Sequence, residues 1–324
     1  DPLNLMRVTT NSFNNDLRHN ITRLAERQLR LQQQVSTGQR ITTASDDPKA
    51  MRRVLDLRNQ QGQLRQYQDN ITTVRENTNV VYSTVQGLKK LSDRASEIAV
   101  IADGTKGPSA LNAYAKEVDQ LIEETVRLAN SKHREVYIFS GTEGSTQAYT
   151  ATRDGTTNQI TNVTFEGNDS SAKIDIAPHS TVEAHYAAEG TNGILKTSTS
   201  GTDFVTSLIS LRDQLTTAAS NTATASEKST ALSTIKGTLV GNLDKSELNF
   251  IDHFSSIGAK LSRLETSETI TTQQIAAVEP LISNEVDVDL ADTLVRLNEV
   301  QNAYTAALQS GSMLLRTSLL DYLR

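Results

Sequence analysis

Apolar side chains in the first forty residues return at alternating intervals of four and three, at Leu17, Ile21, Leu24, Leu31 and Val35, with Gln28 the one interruption. That interval keeps one stripe of a helix turned toward a neighbour and predicts an amphipathic rod. Gly38 supplies the glycine that follows a helix end, and Ser45-Asp46-Asp47-Pro48 offers a capping turn with proline at the first helical position. A second helix therefore starts at Pro48. Its stripe is the longest in the chain: Leu57, Gln60, Leu64, Tyr67, Ile71, Val74, Thr78, Val81, Val85, Leu88, Ser92, Ala95, Ala99 and Ala102. At 1.5 Å per residue such a helix reaches roughly 80 Å and has to pack lengthwise against other helices.

The run Asp103-Gly104-Thr105-Lys106-Gly107-Pro108 breaks that rod. A third stripe, Leu111, Tyr114, Val118, Leu121, Thr125 and Leu128, predicts a helix returning alongside it. From Val136 the period changes. Val136 to Phe139, Gln159 to Phe165 and Ala172 to Ala177 read as strands between turn-forming residues, and 28 of the 60 residues from Gly141 to Ser200 are Gly, Ser, Thr or Asn. This stretch predicts a small β-rich domain.

Helical periodicity resumes at Phe204 to Leu215 and again from Glu227, with a stripe through Phe250, Phe254, Ile257, Leu261, Leu264, Glu268, Thr271, Ile275 and Val278 that Pro280 is expected to end or kink. Asp289 then caps a final helix carrying Leu290, Leu294, Leu297, Tyr304, Leu308, Gly311, Leu315 and Leu319. The predicted fold class is mainly α with a small inserted β domain, an elongated bundle or coiled coil built from both ends of the chain. Its parts are terminal assembly helices at 6–45 and 286–324, a long-helix bundle at 46–140 and 203–285, and the β-rich domain at 141–202.

Composition agrees with that outline. Among 324 residues 36% are hydrophobic and 4% aromatic, enough for aliphatic seams between helices but thin for one globular core. There is no cysteine, so disulfides, thiol chemistry and cysteine-ligated metals are excluded. The longest apolar run is the five residues Ile98 to Ala102, too short for a membrane span. No cleavable secretory signal is visible at the start. Met6 reads as a natural start, and residues 1–5, an expression remnant or an upstream extension, are left out of the fold reading. Residues 1–60 carry ten basic against six acidic side chains, whereas 265–300 carry eight acidic against Arg296 alone. Such helices can lie side by side, although exposed pairs contribute only about 0–1 kcal/mol each.

A search for chemistry returns little. His19, His133, His179, His185 and His253 include no pair at the spacing of a zinc-protease helix, and surface occupancy explains His179 and His185 better than a metal does. Ser45-Asp46-Asp47-Pro48 lacks the alternation of a calcium loop and reads as turn and cap. No phosphate-cradling glycine motif occurs, so no cofactor is expected, and net charge -6 with few aromatics argues against a nucleic-acid partner. No catalytic residues are assigned. What the chain has in excess is unpaired seam, and each buried leucine contributes roughly 1.5–3 kcal/mol. Partners made of more helices, copies of itself or related chains, are the expectation. Leu17, Ile21, Leu24, Leu31, Val35, Leu290, Leu294, Leu297, Tyr304, Leu308, Leu315 and Leu319 are the assembly-interface candidates.

Met6-Arg7-Val8-Thr9-Thr10, then Val35-Ser36-Thr37-Gly38-Gln39-Arg40-Ile41 and Ser45-Asp46-Asp47-Pro48, resemble the amino-terminal signature of the bacterial flagellin superfamily. Val288-Asp289-Leu290-Ala291 and Leu314 to Leu323 resemble its carboxy-terminal end. Within that family, Pro48, the Tyr137-Ile138-Phe139-Ser140-Gly141 segment and the Leu-Asp-Tyr-Leu ending look more like the branch that joins hook to filament than like the filament subunit. Arg324 and residues 1–5 depart from the family pattern. The resemblance implies a secreted, non-enzymatic structural subunit of the motility apparatus with a flagellin-like fold. It implies type III export, a ring of like subunits at the junction, contacts with the first hook-associated protein and with flagellin, and an export chaperone on the carboxy-terminal helix. Flagellin proper is the alternative, and a flagellar rod protein whose β domain has an adhesin or enzymatic role is a second.

Overall fold

The computed structural model describes the backbone of residues 3–322 and the side chains of residues 15–313. Helix makes up 67% of it. In chain order the helices are α1 (Leu3–Thr37), α2 (Pro48–Ile101), α3 (Pro108–Ala129), α4 (Phe204–Ala219), α5 (Ala225–Thr234), α6 (Val240–Val286) and α7 (Leu290–Tyr322), with a π-helical stretch at Ile235–Leu239 leading into α6. Nine short strands lie between α3 and α4. The mainly α architecture with a small β region is thus the one expected from the periodicity. By their contacts the residues divide into one unit made of the two chain ends, up to Gln63 and from Gln274, and another made of Leu64–Gln273.

In the middle unit the α2 stripe is the core. Leu64, Ile71, Val74, Thr78, Val81, Val85, Leu88, Ser92, Ala95, Ala99 and Ala102 are all buried, because a strict 4-3 spacing returns each to the same face. Phe250, Ile257, Leu264 and Thr271 of α6 are buried in the same fashion, and Tyr82 of α2 stacks on Phe254 with ring centroids 4.3 Å apart. The α3 stripe differs from the expectation. Leu111, Ala115, Val118, Ile122, Thr125 and Ala129 are buried, whereas Tyr114, Leu121 and Leu128 are only half-buried. Both series satisfy the 4-3 interval. The face carrying the smaller Ala115 and Ala129 sits innermost, where close approach of backbones favours small residues.

The β region is a set of small sheets. Strands β1 (Lys132–His133) and β2 (Val136–Tyr137) pair antiparallel, as do β3 (Tyr149–Arg153) with β4 (Ile160–Phe165) and β5 (Lys173–Ala177) with β6 (Ser180–Glu183). In the last sheet β7 (Glu189–Gly190) runs parallel to β8 (Lys196–Thr197), which pairs antiparallel with β9 (Thr202–Asp203). The strand expected at Val136 to Phe139 stops at Tyr137, and Ile138 and Phe139 instead enter the helical core. His179 is not part of a strand. It sits at φ 59° in the tight turn between β5 and β6, and His185 lies beyond β6.

The β5–β6 hairpin is seated on α2. Asn70 donates to the Asp175 carbonyl at 2.8 Å and Asn77 to the Ala184 carbonyl at 2.9 Å, above a cluster of Ile71, Val74, Ile176, Val182, Ala184 and Leu264. Arg212 of α4 is almost wholly buried, donating to Asp119 of α3 at 3.1 Å, to Asp213 at 2.8 Å and to the Ile160 carbonyl at 2.7 Å. One cation thereby ties two helices and a strand together.

Pro280 does not end α6, which continues to Val286. Proline forfeits one ladder hydrogen bond, and the last turn is held from outside: the Arg40 N–H donates to the Val286 carbonyl at 2.6 Å.

Candidate assembly interface

In the unit made of the chain ends, α1 and α7 pack against each other antiparallel. Gly311 faces Leu17 so closely that a Cβ there would come within 3.2 Å of the leucine side chain, while Gln39 bridges to Asp287 at the other end of the pair. Small residues permit such an approach, and Gly311 is buried.

The α1 candidates line this contact. Leu31 is buried, and Leu17, Ile21, Leu24 and Val35 are half-buried. The matching row on α7 is Thr293, Leu297, Val300, Tyr304, Ala307 and Gly311, again at intervals of four and three. Of the α7 candidates whose side chains are described, Leu297 and Tyr304 lie on it. Leu290, Leu294 and Leu308 occupy the adjacent row and remain 48%, 46% and 44% exposed. Val295 and, on α1, Leu29 are still more exposed. The side chains of Leu315 and Leu319 lie outside the described residues. The candidates therefore separate into one set used within the chain and another left facing solvent.

A clasp fixes where these helices begin and end. Gly38 adopts φ 70° and its N–H donates to the Gln34 carbonyl at 2.8 Å, closing α1 as a left-handed glycine does. Its own carbonyl accepts from the Val288 N–H at 3.0 Å, which joins this turn to the short link between α6 and α7. Arg40 donates to the Glu285 carbonyl at 2.8 Å, and Arg53 forms a two-pronged pair with the Glu285 carboxylate, each bond 2.8 Å. Asp289 accepts the Ala291 and Asp292 N–H groups at 2.9 and 3.1 Å, capping α7.

The adjacent turn is organised by two carboxylates. Asp46 accepts the Thr43 and Thr42 N–H groups at 2.9 and 3.1 Å and both threonine hydroxyls, with Ser45 bonded to the Thr43 hydroxyl at 2.8 Å. Asp47 accepts the Ala50 and Lys49 N–H groups at 3.0 and 3.2 Å, capping α2 with Pro48 at its first position. The Thr43 N–H foremost holds the Asp46 carboxyl below its usual range, as the Ala50 N–H does for Asp47 and the Arg53 guanidinium for Glu285. These carboxylates shape the backbone, and their oxygens are spent on it. Sequence reasoning missed Arg40, Arg53 and Glu285, whose partners lie more than 230 residues away.

This arrangement suits helix-on-helix assembly: a fixed pair of terminal helices whose second apolar row is uncovered. Among the described residues no three His, Asp or Glu side chains are grouped to hold a metal ion.

This chain is similar to known flagellar proteins. Residues 8–143 match the bacterial flagellin N-terminal helical region. Flagellar hook-associated protein 3 of Salmonella typhimurium is 25% identical over 293 residues, covering 88% of this chain and 89% of that protein. Among solved structures, FlgL of Xanthomonas campestris superposes with a TM-score of 0.58 at 14% identity, covering 69% of this chain and 98% of that one. Flagellar hook-associated protein 3 of Legionella pneumophila gives 0.57 at 12% identity, covering 75% and 98%. The amino-terminal region, the likeness along most of the chain and the fold thus agree: the chain is similar to flagellar hook-associated protein 3 and carries a match to the flagellin N-terminal helical region.

Proposed function

We propose that this chain is a structural subunit of the bacterial flagellum, placed at the hook-filament junction, and that it assembles through its terminal helices. The observation that carries the reading is the likeness to a hook-associated protein 3 along nearly the whole of both chains. The uncovered row of Leu290, Leu294 and Leu308 supports the mode of assembly, since apolar side chains in register on a helix gain most by packing against further helices.

On this reading like subunits form a ring, with the first hook-associated protein on one side and flagellin on the other. The chain leaves the cell through the flagellar export apparatus and works outside it, an export chaperone covering α7 beforehand. Its role is architectural rather than catalytic. Residues 6–45 and 286–324 make the inner contacts, 46–140 with 203–285 form the rod, and 141–202 face outward.

Two measurements test this together. Immunolabelling of intact flagella is expected to place the protein in a single band at the hook end. Label along the filament would assign it to the filament subunit instead. Deleting Leu290 to Arg324 is expected to leave a soluble protein with its β region folded and to abolish incorporation, and incorporation at the wild-type level would refute the assembly mode.

A further inference from the structure

Asn192-Gly193 is the one Asn-Gly pair in the chain. The fold demands its second member: a Cβ at 193 would collide with the Lys196 carbonyl and the Gly190 nitrogen. Asn192 is exposed in the turn before it, on the edge of a cleft of about 800 Å³ between the segment 169–200 and α6. The chain just beyond the pair is held firmly. Asn249 of α6 donates to the Gly193 carbonyl at 3.1 Å and to the Ile194 carbonyl at 2.9 Å, and the Ile194 N–H donates to the Ala187 carbonyl at 3.1 Å. The peptide group joining 192 to 193 is free by comparison. Among the described residues neither its carbonyl nor its N–H has a hydrogen-bond partner, and the Asn192 side chain has none.

We propose that this pair is a site of spontaneous modification, at which water converts Asn192 to aspartate and isoaspartate. The Gly193 nitrogen gives its proton to hydroxide and bonds to Asn192 Cγ. The Cγ–Nδ2 bond then breaks, and ammonia leaves with a proton taken from water. Water opens the five-membered imide that results. Addition at Cγ restores the original main chain with aspartate at 192, whereas addition at the backbone carbonyl carbon leaves Gly193 joined through Cγ, as isoaspartate. One amide and one water become one carboxylic acid and one ammonia, and nothing is oxidised or reduced.

The surroundings single out this asparagine. Glycine leaves the attacking nitrogen unflanked by a side chain. An unbonded N–H loses its proton without first breaking a hydrogen bond, and an unbonded peptide turns freely enough to bring nitrogen and Cγ together. Asn130, which also precedes a small residue, Ser131, is the contrary case: its side-chain amide donates to the Tyr149 carbonyl and accepts the Tyr149 N–H, each at 2.8 Å. Asn168 is likewise fixed, accepting the Thr142 N–H at 3.0 Å and donating to the Thr142 hydroxyl at 2.9 Å. Neither side chain is free to swing onto the following nitrogen. Modification at 192 would add a carboxylate to a cleft that Lys245 and Lys260 also line. Isoaspartate would also lengthen the main chain by one carbon directly before Gly193, displacing the two carbonyls that Asn249 holds.

Peptide mapping by mass spectrometry tests this, on the full chain incubated in heavy-oxygen water, folded and unfolded in urea. In urea the three asparagines react at rates set by their neighbours in sequence. In the folded chain Asn192 is expected to keep a rate of the same order and to yield two labelled peptides of equal mass, while Asn130 and Asn168 retain their amides. Asn192→Asp supplies the reference for the aspartyl peptide. The rate at 192 is expected to rise about tenfold between pH 6.5 and 7.5, as the deprotonated fraction of an amide does far below its pKa. Folding that slows Asn192 as much as Asn130 and Asn168 overturns the proposal, as does an aspartyl product with no isoaspartyl companion.

Discussion

At the scale of single residues, the polar groups inside the middle unit differ in how well they are satisfied. Arg212 is buried but fully engaged, with two carboxylates and a carbonyl on its guanidinium. Truncating it leaves Asp119 without its partner, and Arg212→Ala is expected to lower the urea-unfolding free energy by about 3 kcal/mol. Arg127→Ala, which breaks the solvent-facing pair with Glu124, is expected to leave the midpoint where it is. Equal losses in the two variants would mean that Arg212 is not structurally distinct. Thr78 and Ser92 are the opposite case, both buried in the α2 stripe with hydroxyls that have no hydrogen-bond partner. A buried donor left unpaired is destabilising, so Thr78→Val, which keeps the shape, is expected to stabilise by about 1 kcal/mol. A loss of stability instead would reveal a partner for that hydroxyl. Arg212 could have been suspected from the sequence, because it follows Leu208 and Leu211 on an apolar helix face. Its partners could not, since they come from α3 and β4.

At the scale of elements, legibility tracked how uniquely spacing fixes a face. The α2 stripe runs so long that only one face can satisfy it, and its positions from Leu64 onward are buried apart from the half-buried Tyr67. In α3 two neighbouring stripes share the interval, and the choice between Tyr114 and Ala115 depends on what packs there. The β1–β2 hairpin was illegible for another reason. Its turn places Arg134 and Glu135 at φ 48° and 65°, a conformation that Asn and Gly ordinarily signal, so its residues announce no turn. The clasp was the least legible element, since Gly38, Arg40 and Arg53 find their partners at 285–288. It also carries a pH dependence. Glu285, Asp46 and Asp47 are all held below the ordinary carboxylate range in the folded chain. Groups depressed by folding contribute stability above their unfolded values, 4.5 for Glu and 3.8 for Asp, and lose it as pH falls through the folded ones. Amide protection at Arg40 and Val288 is therefore expected to hold at pH 6 and to decline below about 4.5, and Glu285→Gln should remove the first part of that decline. Protection unchanged down to pH 3 would count against the clasp.

At the scale of the whole molecule, two apolar rows on α7 differ in exposure. Leu31 and Val300 are buried between α1 and α7, whereas Leu290, Leu294 and Leu308 are about half exposed one row away. If the second row exists for partners, polar replacements there spare the monomer and fail in the polymer. The triple variant Leu290→Ser, Leu294→Ser, Leu308→Ser is expected to unfold within about 0.5 kcal/mol per site of the wild type, as surface changes do. It is expected to lose incorporation into flagella, because each helix neighbour forfeits the burial of three leucines. Leu31→Ala should invert that pattern, costing about 2–3 kcal/mol in the monomer while leaving the outer row intact. Thermal unfolding and flagellar incorporation, measured on both variants, separate the two roles. If the serine variant incorporates normally, the uncovered row is not the contact, and assembly runs through another face of these helices.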